Sequence, residues 1–117
     1  MNGDITRIEV GARMSECAIF NGVAYLAGQV GRPGGSVAQQ TQDALDEVDR
    51  VLALAGSNKS RILSAQVWLA DIGGYDAMNA VWDAWVTAGH TPARATGESR
   101  LAAPEYLVVV IVVAAVG

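Results

Sequence analysis

Apolar and polar positions alternate along the first thirty residues and then change period. Strand-like runs cover Thr6 to Val10, Cys17 to Phe20 and Val23 to Gln29. The last two are joined at Asn21-Gly22, a pair that accepts the left-handed backbone of a two-residue hairpin turn and so predicts an antiparallel N-terminal sheet. Gly31-Arg32-Pro33-Gly34-Gly35 reads as a loop. Ser36 with Gln39 then forms a capping-box pattern that opens a helix with apolar positions Val37, Ala38, Ala44, Leu45, Val48, Val51, Leu52 and Ala55, closed by Gly56. From Arg61 to Ala70 the period returns to two. Leu63, Ala65, Val67 and Leu69 are expected on one face of this strand, and Ser64, Gln66 and Trp68 on the other. Tyr75, Met78, Trp82 and Trp85 recur at helical spacing, which predicts a second amphipathic helix from Gly74 to Val86 with an aromatic core stripe. Strands over Ala93 to Arg100 and Leu107 to Val116 complete the order βββ-α-β-α-ββ. The expected class is α+β, one sheet with two helices on one face.

The final strand is apolar at both parities, so both faces of the sheet need cover, and two helices on one side cover only one. The other face is expected to be an interface between copies of the chain, with a three-fold ring turned sheet-inward as one closed solution. Composition points the same way: 51% of the 117 residues are hydrophobic, 17% are charged, and Lys59 is the sole lysine. This is a lean polar surface for a lone monomer. Residues 1–117 are expected to form a single domain, being too few for two independent cores. A formal net charge of −4 and scattered basic residues argue against nucleic acid as a partner. Leu107 to Val116 is about half of what an α-helix needs to cross a bilayer, so no membrane span is expected. The start of the chain lacks a basic segment followed by an apolar run, which leads to the expectation of a cytoplasmic protein. One cysteine and one histidine, Cys17 and His90, exclude an intrachain disulfide and a Cys/His metal site, so no metal is expected.

Few residues remain to carry chemistry. Arg94 follows Pro92 at the entrance of a strand, and its guanidinium offers two parallel donors to a carboxylate. Two readings stand: an anchor for a small organic acid, or a salt bridge within or between subunits. Thr96 and Glu98 share the strand face of Arg94. Glu98 is open to two roles, a polar group beside the pocket or a partner of Arg100. Cys17 reads as a small buried hydrophobe and His90 as an exposed loop residue. Ser15, Ser64 and Ser99 lack a His/Asp pattern, and the glycine loop lacks a following Gly-Lys-Ser/Thr, so neither a serine hydrolase nor a phosphate-binding loop is indicated.

Tyr25-Leu26-Ala27-Gly28-Gln29-Val30, Thr41 to Gly56, Met78-Asn79-Ala80-Val81-Trp82, Pro92-Ala93-Arg94-Ala95-Thr96 and Leu101-Ala102-Ala103-Pro104-Glu105-Tyr106-Leu107-Val108 together resemble the RidA/YjgF/L-PSP family over almost the whole chain. The resemblance implies a chorismate-mutase-like fold, a homotrimer, no cofactor, and a hydrolase that converts 2-iminopropanoate and 2-iminobutanoate to 2-oxo acids and ammonia. It implies Arg94 as the substrate-carboxylate clamp in an intersubunit cleft, lined by Ala27, Gly28, Asn79 and Thr96. Two departures stand out. The family's pocket glutamate aligns with Val109 and a second acid with Ile111, while a pocket tyrosine aligns near Met14. Without those groups the alternative is a trimer that binds small imino or oxo carboxylates without catalysis. Ribonuclease activity, described for some members, fits poorly with an acidic chain that has no His/Lys acid-base set.

Overall fold

The computed structural model describes residues 3–117. Its strands are β1 (Thr6–Val10), β2 (Ser15–Phe20), β3 (Val23–Leu26), β4 (Ile62–Leu69), β5 (Ala93–Glu98) and β6 (Val108–Ala115); its helices are α1 (Val37–Leu54) and α2 (Tyr75–Trp85). The six strands form one sheet in the order β1-β2-β3-β6-β4-β5, so the α+β arrangement and the element order agree with the expectation. Every neighbouring pair is antiparallel except β4 and β5, which are parallel and joined through α2.

Local chemistry explains most boundaries. Asn21 and Gly22 both adopt positive φ, 51° and 76°, as a type I′ hairpin requires. The Ser36 hydroxyl accepts from the Gln39 N–H while the Gln39 side chain accepts from the Ser36 N–H, closing the capping box. At the other end of α1, Gly56 at φ 79° lets its N–H reach Ala53 O and the Ser57 N–H reach Leu52 O, which is a Schellman closure.

The core lies between the sheet and the two helices. From β6, Val108, Val110, Val112 and Ala114 are buried, and they meet Leu45, Val48, Leu52, Met78 and Trp82 from the helices within one cluster. On the other side of the sheet no helix packs. There Phe20 and Tyr25 are exposed, Tyr25 by 52%, and Val109, Ile111 and Val113 are only half-buried.

Several details differ from the expectation. Leu63, expected in the core, is 52% exposed, and Ile62 at 5% takes its place, because a bulge between Ile62 and Ser64 breaks the alternation. β3 stops at Leu26: Ala27 donates to Glu16 O, and only Gln29 rejoins the sheet, through a bridge to Val110. β2 begins at Ser15, and β5 ends at Glu98, with the Ser99 N–H donating the last ladder bond to Leu69 O. Tyr75, at the first turn of α2, is 43% exposed and lies outside the core. Gln40 and Thr41 are fully buried on α1 although polar.

Both buried polar groups are satisfied. Thr41 Oγ1 donates to Val37 O at 2.7 Å. The Gln40 amide donates to Gly35 O at 3.0 Å and to Glu105 O at 2.9 Å, and accepts from the Leu107 N–H at 2.8 Å. It thereby ties the loop before α1 and the loop before β6 to one helical turn. Replacing Gln40 by Leu leaves three backbone groups unmatched, so a loss of about 2–4 kcal/mol is expected in urea unfolding. Cys17, 1% exposed, has its thiol pushed up mainly by burial, an effect opposed by a backbone hydrogen bond from Tyr25. A thiol reagent at pH 8 is therefore expected to label Cys17 only when denaturant is added; rapid labelling of the native protein would contradict this burial.

Candidate functional site

Arg94 leaves β5 on the helix side of the sheet. In the parallel ladder it lies opposite Ala65, and Thr96 lies opposite Val67; both partners are buried under the helices, so Arg94 and Thr96 share that face. The Arg94 guanidinium carbon sits 4.9 Å from the centroid of the Trp82 ring, and Nη1 lies 3.9 Å from Met78 Sδ. Among the described residues no carboxylate forms an ion pair with Arg94; the ion pairs are Arg32 with Asp43, and Arg50 with Glu9 and Glu47. Beside it, Thr96 Oγ1 is buried and has no hydrogen-bond partner among the described residues. A half-buried cation without an anion, next to an unmatched hydroxyl, is an arrangement that a small carboxylate completes. Asn79, half-buried, follows Met78 on α2. Glu98 is engaged elsewhere. Its carboxylate accepts from the Ile72 N–H at 2.9 Å, anchoring the 3₁₀ turn Ile72–Gly74 that leads into α2.

A second group lies on the opposite, helix-free face. Val109 pairs with Trp68, on the side where Tyr25 pairs with Val113. Gly28 lies against it: a Cβ placed on Gly28 would come within 2.8 Å of Val109 Cγ2 and 3.6 Å of Ile111 Cγ1. Ala27 is half-buried beside Gly28, and Met14 is exposed in the β1–β2 turn, where its carbonyl accepts from the Gly11 N–H. Glu16 holds this region indirectly. Its carboxylate accepts from the Gln29 amide at 3.0 Å, and the same amide donates to Ala27 O at 3.0 Å.

The residues singled out from the sequence thus fall into two sets, Arg94, Thr96 and Glu98 on one face and Gly28 with Val109 on the other. One chain does not bring the sets together. Glu98 and Val109 in particular lie on opposite sides of the sheet, so within the chain Glu98 does not enter the space that Val109 occupies. A cleft of about 600 Å³ lies between the loop after β3 and α1, with Gly28 and Glu16 on one wall and Arg32, Asp43, Glu47 and Arg50 on another, and Arg94 does not line it. Both of its arginines are already paired, Arg32 with Asp43 and Arg50 with Glu47 and Glu9. The Arg32 N–H and then its guanidinium hold Asp43 below the usual carboxylate range, and the Arg50 guanidinium does the same for Glu9. The missed participant is Trp82. Its spacing with Met78 is legible as a helix stripe, but nothing in the sequence signals that its ring faces Arg94.

Known proteins share this architecture. The sequence profile of the family described as Endoribonuclease L-PSP matches residues 5–116. A "RutC family protein" from Haemophilus ducreyi is 49% identical over 113 residues, spanning 96% of this chain and 97% of that one. The crystal structure of NMB1025, a member of the YjgF protein family from Neisseria meningitidis, superposes with a TM-score of 0.96 at 45% identity, covering 98% of this chain and 97% of that chain. More distantly, a 2-iminobutanoate/2-iminopropanoate deaminase from Bos taurus is 30% identical over 89 residues, 69% of this chain and 64% of that protein.

The contact between Gly28 and Val109 is testable. Gly28→Ala drives a methyl into Val109 and is expected to cost about 1–3 kcal/mol, as overpacking does. Adding Val109→Ala should recover most of the loss in thermal unfolding; additive losses would show that the two positions do not touch.

Proposed function

The chain belongs to the Endoribonuclease L-PSP family, which includes the RutC and YjgF proteins, and from that premise we propose that it binds small 2-imino and 2-oxo carboxylates through Arg94 and hydrolyses the imines. The observation that carries the binding half is the Arg94 guanidinium, half-buried, unpaired with any described carboxylate and adjacent to the unmatched Thr96 hydroxyl. The relatives named as deaminases support the hydrolytic half.

The site is composite under this proposal. Arg94 and Thr96 look out from the edge strand on the helix side, while Gly28 and Val109 look out from the helix-free face, so a cleft containing both sets needs a second copy of the chain. The open apolar face of Tyr25, Val109, Ile111 and Val113 supplies the surface for that contact, and a homotrimer closes it without leaving a free patch. In the reaction, water adds to the C=N carbon, the nitrogen takes up protons and leaves as ammonia, and a 2-oxo acid remains. Arg94 holds the carboxylate in a fixed orientation, which places the imine carbon against the neighbouring backbone amides.

A second reading, binding without hydrolysis, is favoured by one specific observation: Val109 and Ile111 are aliphatic where the resemblance implies acids. Loss of a positioned acid or base typically removes about 10² to 10⁴ in rate. The two readings separate in one assay, 2-oxo acid release from imines generated in situ by an amino-acid oxidase. Wild type is expected to exceed buffer, and Arg94→Ala to fall by on the order of 10²-fold, the scale set by losing substrate orientation. An inert wild type with an active Val109→Glu variant selects the binding-only reading. Inactivity of all three proteins, together with no thermal stabilisation by 2-oxo acids, rejects both.

A further inference from the structure

Packing alone accounts for Trp82 as one member of a helix stripe, but its surroundings show a more specific arrangement. The ring beneath Arg94 is 6% exposed, and it packs against Trp85 with centroids 5.4 Å apart and planes inclined by 51°. Trp85 is itself held, its indole N–H donating to Asp49 Oδ2 at 3.0 Å. A continuous set of contacts therefore runs from Asp49 on α1 through Trp85 and Trp82 on α2 to Arg94 on β5. The guanidinium also meets Met78 Sδ at 3.9 Å, a weak acceptor that leaves the donors largely unspent. Arginine carries considerable rotamer freedom, and a site that must freeze it on binding loses affinity.

We infer that Trp82 is the positioning residue of the Arg94 clamp: its face holds the guanidinium plane in place before a carboxylate arrives. The inference rests on reading Arg94 as that clamp. A purely space-filling Trp82 would tolerate any apolar side chain of similar size equally well, whereas a stacking platform requires a π face.

The test measures binding of 2-oxobutanoate by calorimetry to wild type, Arg94→Ala, Trp82→Phe and Trp82→Leu, each checked for folding by circular dichroism. Both Trp82 variants leave a cavity, yet only phenylalanine keeps an aromatic face. Trp82→Phe is expected to bind within about threefold of wild type and Trp82→Leu to bind about 5- to 30-fold more weakly, the range of a partly desolvated cation–π contact. Equal affinities for the Phe and Leu variants, with Arg94→Ala still defective, overturn the role of Trp82 and leave the clamp intact. Undiminished binding by Arg94→Ala overturns both. If Trp82→Leu does not fold, nuclear magnetic resonance of the ligand-free wild type decides. The Arg94 side-chain Nε–H signal is expected to be displaced by the indole ring current, and coincidence with the signal of the exposed Arg100 overturns the inference.

Discussion

Burial of β6 between β3 and β4 is the constraint on which the remaining structure depends. Val108, Val110, Val112 and Ala114 are inaccessible to solvent or nearly so, and they form the floor on which α1 rests, with α2 packed against α1. Full burial of a valine is worth roughly 1.5–3 kcal/mol, so this strand face alone outweighs any surface ion pair in the molecule. The same strand decides the character of the opposite face. Because side chains alternate strictly, burying the even positions turns Val109, Ile111 and Val113 outward, and the helix-free side becomes an apolar surface.

Arg94 occupies the opposite extreme, an edge strand. β5 pairs only with β4, so one flank of its backbone is open and a side chain at that edge can be half-covered by α2 while remaining reachable. Parallel pairing with β4 sets its direction: opposite Ala65, it must point to the helix side. That placement explains both its contact with Trp82 and its separation from Val109. Neither face of one chain presents Arg94 and the Gly28 backbone together.

Much of the fold is legible in the chain because its signals are local. Asn21-Gly22 can take two positive φ values in succession, Ser36 and Gln39 can satisfy each other's backbone, and Gly56 can end a helix without steric cost. These outcomes depend on a few neighbouring residues, and the chain folds accordingly. Leu63 shows where locality fails. Its alternation points inward, but the register is negotiated with β6, and a bulge there hands the buried position to Ile62. Gln40 fails for a related reason: an amide reads as surface until partners distant in sequence, Glu105 and Leu107, supply its hydrogen bonds.

For the candidate site the division is similar. Residue identities alone settle which chemistry is present: an arginine after a proline at a strand entrance, and too few cysteines and histidines for a Cys/His metal centre. Identity suffices there because it sets charge and donor count. The direction in which that chemistry points is a property of the assembled sheet. Arg94 lying over the Trp82 ring, Thr96 left without a hydrogen-bond partner among the described residues and Val109 turned to the other face all follow from strand order and pairing direction, which arise from burying the whole sheet at once rather than from any local run of residues.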